Sequence, residues 1–267
     1  MIRQAEISKI AYRLALSEKT IEKDYVLTWV LQAVAHSPLN DILAFKGGTA
    51  IKKMYVPDYR FSEDLDFTII EANKSKAYII AQVRELFPWV LQKANIMLEL
   101  ERIEEHISGN FAIYVNYSGP LRAQLDKRAL KIDFSCDEIL TFPLNNLLIQ
   151  SNYSDLINSD ALIATYSLNE ILAEKLRSLL TRSEPRDLFD VYYLLTHQMA
   201  DIDAVKFNCS SKFTIKGFNM SDLGSVLDKK QKVFKQYWHA RLGGQMLEIP
   251  EYDEVHHAVS RSLSRYF

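Results

Sequence analysis

FKGGTAIKKMY at residues 45–55, followed by RFSEDLDF at residues 60–67, sets a Gly-Gly-Thr turn shortly before an Asp-x-Asp between apolar residues. Side chains on a β-strand alternate in direction, so Asp64 and Asp66 are predicted to share one face while the neighbouring apolar residues lie on the other. Two clustered carboxylates repel each other, and a divalent metal ion supplies the counter-charge. Backbone N–H groups of a small-residue turn bind phosphate. Together the two stretches indicate nucleotide chemistry.

The length, composition and net charge limit the classes of protein to which this chain can belong. Its 267 residues are enough for one large core or two modest domains. Hydrophobic residues make up 48% and charged residues 25%, which is the range of soluble globular proteins. The formal net charge of −2 excludes a global positive field, so any basic surface that binds nucleic acid must be local.

Targeting and redox features favour the cytoplasm. The two cysteines, Cys136 and Cys209, lie far apart and form no CxxC motif, which favours packing roles in a reducing compartment. The N-terminal MIRQAEISKI carries early charges and does not have the form of a signal peptide. No apolar stretch reaches the roughly 18–20 residues that span a bilayer. We therefore expect a cytoplasmic protein without a membrane segment.

The spacing of apolar residues predicts a mixed α/β (α+β) fold with helices at both ends. Residues 1–36 are expected to form an N-terminal helical pair. Residues 37–165 contain β-prone runs and one long helical run, which predicts a mixed-sheet α/β domain. Residues 166–267 are mostly helical in pattern and are expected to form a C-terminal helical domain.

Local signals predict the individual elements. Residues 42–45 and 64–70 have strand patterns on either side of the Gly-Gly turn, which itself opens a short helix. Ser167 and Glu170 form a capping-box pattern that begins one helix, and Pro185 begins the next. The other predicted elements are a helix at 74–94 and strands at 96–103, 111–117 and 128–135.

A third acid, Asp133, lies in the apolar, strand-like run LKIDFS. A carboxylate inside such a strand is costly unless it is paired or binds a metal ion. On a strand beside Asp64 and Asp66 it would complete an oxygen-rich site of the kind that Mg²⁺ accepts. The alternative is a strand-edge acid that pairs with Lys131 or Arg128, and the residues by themselves leave both interpretations open.

Two predicted helices of the C-terminal part carry a second charged set. Lys175 and Arg177 lie close together on a helix whose leucines face the core; a lysine can reach phosphates as a point charge, and an arginine can clamp them bidentately. Asp187 and Asp190 are three residues apart and share a helix face, so one of them can orient Lys175. The alternative is a solvated face with ordinary salt bridges, such as one between Arg186 and Asp190.

Residues 229–241, KKQKVFKQYWHAR, combine basic and aromatic side chains without an acid. Lysines contact phosphates and aromatic rings stack on unpaired bases, so this segment is a candidate RNA platform. The alternative is an amphipathic helix that buries Val233, Phe234, Tyr237 and Trp238 and leaves its lysines in water. The candidate RNA contacts are Lys229, Lys230, Lys232, Lys235 and Arg241.

As a set, the Gly-Gly-Thr turn, the Asp-x-Asp and the later strand Asp resemble the DNA polymerase β-like nucleotidyltransferase superfamily. More narrowly, KGGTAIKKMY, RFSEDLDF, EKDY at 22–25 and EKLRSLL…RDLFDVYYLL at 174–195 look like the AbiEii/AbiGii-type toxin nucleotidyltransferases, which include the MenT-like toxins. The motifs that carry the resemblance run in order from about residue 20 to residue 197. EKDY either braces the α/β domain or lends Lys23 to the site, and bracing is the favoured interpretation.

The resemblance implies a metal-dependent site. Asp64, Asp66 and Asp133 would hold two metal ions, Mg²⁺ or Mn²⁺, that bridge the phosphates of an NTP and activate an acceptor hydroxyl. The residues assigned to the nucleotide are Lys46, Gly47, Gly48, Thr49, Ser62, Lys175 and Arg177, and the helix acids are Asp187 and Asp190.

The reaction implied by the resemblance transfers a nucleoside monophosphate from an NTP, with pyrophosphate leaving. The implied acceptor is the 3′ end of a tRNA, and the implied role is the toxin of a toxin–antitoxin or phage-defence (abortive infection) pair, with an antitoxin protein as partner. Two alternatives stay open: a protein nucleotidylyltransferase, and a nucleotide- or partner-binding module with a degraded site. The intact set of three acids argues against the second. The choice of NTP and the oligomeric state do not follow from the sequence.

Overall fold

A computed structural model describes residues 1–71, 73–106 and 108–267, and the chain divides into two compact units. The first unit carries a β-sheet with helices, and the second is helical. The predicted α/β fold class is therefore confirmed. The first unit comprises Met1–Glu138 and Leu144–Thr165, and the second comprises Ile139–Pro143 and Tyr166–Phe267.

Over the residues that the structure describes, the sheet of the first unit has seven strands. They are β1 (Leu43–Lys46), β2 (Asp64–Ile69), β3 (Met97–Glu105), β4 (Phe111–Ser118), β5 (Ala129–Ser135), β6 (Asn145–Leu148) and β7 (Leu162–Thr165). Their order is β3-β4-β5-β2-β1-β7-β6. The pairs β2/β5 and β1/β7 are parallel and the other neighbours are antiparallel, so the sheet is mixed as expected.

The first five strands correspond to the strands that the sequence predicts, whereas β6 and β7 have no counterpart among the predictions. Each of these two strands is only four residues long, and β6 begins with Asn145 and Asn146. Asparagine is depleted in strands, and so short a run carries little periodicity. These residues form strands because they pair with neighbouring strands of the sheet, and their local sequence does not predict it.

The described residues of the first unit form four α-helices: α1 (Gln4–Leu14), α2 (Glu18–Ala35), α3 (Gly47–Ala50) and α4 (Lys76–Ala94). Ser17 caps α2 by accepting a hydrogen bond from the N–H of Thr20 at 3.0 Å. The short helix α3 begins at the Gly-Gly turn and continues as a π-helical turn over Ile51–Tyr55. The helix predicted to open at this turn is therefore present.

A row of aromatic rings crosses the buried face of the sheet. The ring centroids of Phe45 and Phe67 are 5.3 Å apart, those of Phe67 and Phe134 are 6.0 Å apart, and those of Phe134 and Phe111 are 4.9 Å apart. All four rings are buried. A shift of one residue in any of these strands would turn its aromatic ring away from the core, so the row fixes the register.

The EKDY segment in α2 contains two buried acids, Glu22 and Asp24. Asp24 forms an ion pair with Lys53. Asp24 Oδ2 accepts hydrogen bonds from Lys53 Nζ at 2.6 Å and from the Tyr153 hydroxyl at 2.7 Å. Burial alone would raise the pKa of Asp24, but the charges of Lys53 and Lys52 and these hydrogen bonds lower it below its usual 3.8. The carboxylate therefore stays ionised and links α2 to the turn after α3.

The second acid of the segment, Glu22, is fully buried and contacts the guanidinium of Arg128. Its Oε1 also accepts a hydrogen bond from the N–H of Leu121 at 2.6 Å. Lys23 lies outside this set and pairs with the exposed Glu63 at 3.3 Å. These contacts favour the bracing interpretation of EKDY, because two of its three charged residues hold α2 to other segments of the first unit.

We expect Lys53→Met to lower the free energy of unfolding at pH 7 by roughly 3–5 kcal/mol, because Asp24 then keeps a buried charge without its main partner. The pKa of Asp24 is lower in the folded chain, so this stabilisation is present above about pH 3.8 and is lost as the pH falls below it. Urea unfolding followed by circular dichroism at pH 7 and at about pH 3 measures both effects.

The control for that prediction is the double variant Asp24→Asn/Lys53→Met, which removes both charges and should recover part of the lost stability. A Lys53→Met variant as stable as the unaltered chain at pH 7 would show that the ion pair does not brace the first unit.

The second unit contains five helices among the described residues. They are α5 (Leu168–Thr181), α6 (Pro185–Thr196), α7 (Ile202–Ile215), α8 (Leu223–Leu242) and α9 (Tyr252–Tyr266). Ser167 caps α5 by accepting a hydrogen bond from the N–H of Glu170 at 3.3 Å, and Pro185 is the first residue of α6. Both predicted helix starts are therefore confirmed.

The side chain of Glu170 does not complete the predicted capping box. Its carboxylate is fully buried, where it pairs with Lys212 and accepts hydrogen bonds from the N–H groups of Thr141 at 2.9 Å and Phe142 at 2.8 Å. This acid therefore fastens the short segment Ile139–Pro143 to the helices, and the segment belongs to the second unit.

Two of the sequence expectations concern exposure. Cys209 is buried, as a packing role requires, but Cys136 is exposed because it follows the end of β5, so the packing prediction is wrong for Cys136. In the described part of the chain, no helix combines the length and the apolar character that crossing a bilayer needs.

Candidate active site

The sheet register places the three predicted acids beside one another. Asp66 of β2 lies directly opposite Asp133 of the parallel strand β5, and on its other side it lies opposite Lys46 of β1. Asp64 is two residues before Asp66 and therefore points to the same face. All three carboxylates are partly exposed, whereas Lys46 is buried. The acids thus form one cluster on the face opposite the phenylalanine row.

The charges in this cluster act on one another. Burial raises the pKa of Asp133 and the nearby charge of Asp66 raises it further, although Lys131 opposes both. Lys131 Nζ lies 2.7 Å from Asp133 Oδ1, and Lys131 is opposite Asp64 in the strand register. The pairing of Asp133 with Lys131, one of the two interpretations that the sequence leaves open, is therefore present. Arg128 contacts Glu22 instead.

Within the ranges that the structure describes, no three His, Cys, Asp or Glu side chains are arranged as a ready metal site. The three carboxylates nevertheless offer the oxygen donors that hard divalent cations prefer, and the repulsion between Asp66 and Asp133 is relieved by added positive charge. In this structure Lys131 supplies that charge to Asp133. The donor chemistry of the cluster therefore fits a divalent cation.

The two glycines of the turn are required by close contacts. Gly47 has φ +80°, and a Cβ atom there would lie 2.4 Å from Asp66 Oδ2. A Cβ atom on Gly48 would lie 2.5 Å from Nη2 of Arg60. Both distances are shorter than any real carbon contact, so a side chain at either position would displace a charged group. The turn can therefore approach the acids only because it has no side chains.

Thr49 and Ser62 are both predicted to contact the nucleotide, but their environments in the structure differ. The Thr49 hydroxyl donates a hydrogen bond to the backbone carbonyl of Asp64 at 2.6 Å, and the side chain is buried. Its only hydrogen is used to hold the turn against β2, so a contact of this hydroxyl with phosphate stays a prediction. Ser62 is partly exposed, two residues before Asp64.

Arg60 is the residue that the sequence interpretation missed. Its side chain is buried, its Nη1 donates to the carbonyl of Phe61 at 3.2 Å, and its guanidinium lies against Gly48. The signal was available, because this arginine is the first residue of the RFSEDLDF motif. Only the fold, however, shows that it lies beside the glycine turn.

We expect Gly47→Ala to reduce nucleotidyl transfer by about 100-fold, because the new methyl group displaces the Asp66 carboxylate by an ångström or more. Gly109→Ala is the matched control. Gly109 has a similar φ of +84° with nothing within 4 Å of the added carbon, so both variants pay the same backbone strain of about 1–2 kcal/mol. Pyrophosphate release from an NTP measures the difference, and equal activity of the two variants would contradict the role of the turn.

The second unit holds the other predicted charged set. Lys175 Nζ lies 2.7 Å from Asp187 Oδ1 and 2.7 Å from Asp190 Oδ2, and both acids are buried. Arg182 Nε also binds Asp187, at 2.6 Å. Burial would raise the pKa of Asp187, but Lys175 and Arg182 hold it well below its usual range. The predicted lysine and both predicted acids are thus in direct contact.

Arg177, the proposed phosphate clamp on α5, has its Nη2 3.7 Å from Glu174 Oε1 one helical turn earlier. Its side chain is 15% exposed. The structure therefore pairs it within its own helix, and its role toward a nucleotide stays a prediction.

We expect Lys175→Met to lower the free energy of unfolding at pH 7 by roughly 3–5 kcal/mol, because Asp190 and Asp187 are buried acids that lose their shared cation. Arg182→Met should cost about 1 kcal/mol or less, since the Arg182 side chain is 58% exposed. The pKa of Asp187 is lowered from 3.8 on folding, so the cost of Lys175→Met should shrink as the pH falls below about 3.8. Urea unfolding of the two variants tests this, and equal costs would contradict it.

The basic segment at 229–241 lies in α8 and matches neither interpretation completely. Phe234 and Trp238 are fully buried, but the side chains of Val233 and Tyr237 are 41% and 44% exposed. The predicted burial of those two residues is therefore wrong. The reason is that Val233 and Tyr237, four residues apart, lie about 100° around the helix from Phe234 and Trp238, so the inward side of α8 holds only the second pair.

The basic residues of α8 do not form one continuous RNA-facing row. Lys230 Nζ donates to the carbonyls of Leu179, Leu180 and Arg182 at 2.7, 3.1 and 3.0 Å, so it caps the end of α5. Lys235 pairs with Asp253, and Arg241 Nε lies 3.9 Å from Glu184. Lys229 and Lys232 are exposed. A role of these basic residues toward RNA stays a prediction.

The sequence matches a family model described as nucleotidyl transferase AbiEii toxin, type IV TA system, over residues 29–261. The match continues past residue 200, beyond the last motif that carries the resemblance in the sequence. A comparison with curated proteins found no match.

The solved structures that are similar to this chain include the following two. MenT4, a nucleotidyltransferase toxin from Mycobacterium tuberculosis H37Rv, is 15% identical with a TM-score of 0.67, over 99% of this chain and 89% of that one. JHP933 from Helicobacter pylori is 20% identical with a TM-score of 0.55, over 94% of this chain and 93% of that one. At these identities the two structures show a shared fold.

Proposed function

Because this chain belongs to the AbiEii family of nucleotidyl transferase toxins from type IV toxin–antitoxin systems, we propose that it transfers a nucleoside monophosphate from an NTP to the 3′ end of a tRNA. The acceptor hydroxyl attacks the α-phosphorus, the bond to the bridging oxygen of the β-phosphate breaks, and pyrophosphate leaves. The family also implies an antitoxin protein as partner.

The observation that carries this proposal is the strand register that sets Asp66 beside Asp133. With Asp64 on the same face, these carboxylates would hold Mg²⁺ or Mn²⁺. When bound, such an ion neutralises phosphate charge and lowers the pKa of an acceptor hydroxyl. One of the three carboxylates would accept the proton of that hydroxyl.

The glycine turn supports the binding of phosphates in this proposal. Gly47 lies against Asp66 and Gly48 against the Arg60 guanidinium, so backbone N–H groups and a buried cation lie close to the acids. Lys46 is opposite Asp66 and adds a second buried cation. Positive charge next to the carboxylates is what a triphosphate needs, since transfer depends on positioning and charge neutralisation.

For the second unit, we propose that Lys175 provides a point charge for the nucleotide, oriented by Asp187 and Asp190. Its contact with two buried acids also explains its burial, so loss of activity in a neutral variant would not distinguish the two roles. Lys175→Arg keeps the charge and should keep the fold. A rise in KM for the NTP in Lys175→Arg, with an unchanged unfolding midpoint, would support the nucleotide role, and an unchanged KM would remove it.

The function is tested by incubating the purified protein with total RNA and each α-labelled NTP in turn, with and without Mg²⁺ or Mn²⁺. We expect metal-dependent label on RNA of tRNA length. Asp66→Asn should reduce the transfer at least about 100-fold without unfolding the chain, because it removes a charge from a cluster of repelling acids. Asp126→Asn is the matched control, since the side chain of Asp126 is 69% exposed and pairs with Lys127.

The acceptor is identified by a second arm of the same experiment. Periodate oxidation destroys the 3′-terminal diol of RNA, so transfer to the 3′ end should disappear with oxidised RNA. Label that persists on oxidised RNA would overturn the 3′-end assignment. Label that moves to protein instead would favour the protein nucleotidylyltransferase, and no pyrophosphate release with any NTP would favour a binding module.

A further inference from the structure

Lys131 of β5 lies on the same face of the sheet as the three acids, and the mechanism proposed above makes no use of it. Burial alternates along β5, and Lys131 and Asp133 both belong to its partly exposed row. Lys131 lies opposite Asp64 of the parallel strand β2 and opposite Tyr114 of the antiparallel strand β4. Its ammonium group therefore projects from the sheet beside the acid cluster.

This ammonium group occupies an oxygen of a proposed metal ligand. Lys131 Nζ lies 2.7 Å from Asp133 Oδ1, which is the distance of a charge-assisted hydrogen bond. A divalent cation also binds carboxylates through their oxygen atoms, and two cations at such close range repel each other. A metal ion that uses this oxygen of Asp133 therefore has to displace Lys131.

The other charges of the cluster act on both competitors. The charges of Asp133 and Asp64 attract Lys131, and the charge of Asp66 disfavours an unpaired carboxylate at Asp133. The charge of His106 also acts on Asp133, but the His106 side chain is exposed. The acids hold the lysine in place, and a divalent ion in its position gains the same attraction with twice the charge.

Towards the edge of the sheet, the charged groups have partners other than Lys131. The Tyr114 hydroxyl donates to Glu104 at 3.0 Å, and the Arg102 guanidinium lies 3.5 Å from the centre of the Tyr114 ring. Arg102 also pairs with Glu101. Lys131 is therefore held mainly from the side of the acid cluster.

The ion pair is weak enough to be displaced. The side chain of Lys131 is 31% exposed and that of Asp133 is 26% exposed, and ion pairs with access to water are weak. The flexible four-carbon stem of a lysine lets its ammonium group move into water while the backbone stays in the strand. Lys46, the lysine opposite Asp66, is buried and lacks this freedom. Of these two lysines, Lys131 is the one that suits displacement.

We propose that Lys131 regulates the acid cluster by competing with divalent metal for Asp133, so that this lysine sets the metal concentration at which the site is filled. When metal binds, the hydrogen bond between Lys131 and Asp133 breaks and the ammonium group moves into solvent. The inference rests on the proposed function, since it takes the metal site from that proposal. It concerns metal binding, however, and does not depend on the acceptor or on the transfer step.

The test is Mn²⁺ binding to the full chain, measured by electron paramagnetic resonance of the free ion without NTP or RNA. Lys131→Met should bind Mn²⁺ about tenfold more tightly than the unaltered chain, because the competing charge is gone. Lys131→Arg keeps the cation and should stay within about threefold of the unaltered chain. Lys127→Met is the matched control and should not change the affinity, since Lys127 is 64% exposed and pairs with Asp126.

Two further measurements distinguish competition from a merely structural role. Adding Asp66→Asn to Lys131→Met should remove the gain in affinity, because the bound ion then loses a carboxylate of the cluster. Unfolding midpoints in EDTA and in Mn²⁺ show whether each variant is folded. At one Mn²⁺ concentration, the midpoint of Lys131→Met should rise more than that of the unaltered chain, because tighter binding stabilises the folded state more.

Four results would overturn the proposal. They are a folded Lys131→Met variant that binds Mn²⁺ no more tightly than the unaltered chain, an equal gain in Lys127→Met, a gain that Asp66→Asn leaves intact, and no Mn²⁺ binding by any variant at millimolar concentration. Metal-dependent transfer with an unchanged Mn²⁺ affinity in Lys131→Met would remove this inference alone. Tighter Mn²⁺ binding without transfer to any acceptor would support this inference and remove the proposed reaction.

Discussion

The alternation of β2 and β5 is the constraint on which the rest of the first unit depends. On one face these strands carry Phe67 and Phe134, which are buried in a continuous aromatic row. On the other face they carry Asp66 and Asp133, opposite each other in parallel register. Burying the rings therefore forces the acids together, and the hydrophobic effect supplies the free energy that holds two repelling carboxylates side by side.

Buried ion pairs fix the positions of helices and loops within each unit. Asp24 with Lys53 holds α2 to the turn that follows the Gly-Gly pair, and Glu170 with Lys212 organises the second unit. A buried charge is costly unless its partner is in place, so such pairs penalise misplaced helices more than they stabilise correct ones. In the first pair, the charges of Lys53 and Lys52 keep the pKa of Asp24 low and its carboxylate ionised. For Asp24, the second carboxylate oxygen, Oδ1, is buried and has no hydrogen-bond partner among the described residues.

Several features could be predicted because they are local. The strands β1 to β5, the helix starts at Ser167 and Pro185 and the family resemblance all follow from patterns within a few residues. Other features depend on residues far apart in the chain. Strands β6 and β7 are too short to have a periodicity, and the capping of α5 by Lys230 joins residues about fifty positions apart. No local pattern distinguishes Lys230 from the exposed lysines beside it.

The sequence by itself determined the chemistry: a glycine turn without side chains, acids on one side of a strand and the motifs of the AbiEii family. These are properties of residue type and spacing, which need no knowledge of the fold. Only the tertiary structure decided that Arg60 lies against Gly48, that Lys131 pairs with Asp133, and that Asp24 keeps an unused oxygen. The reason is physical: spacing fixes the direction of a side chain, but packing between distant segments chooses its partner.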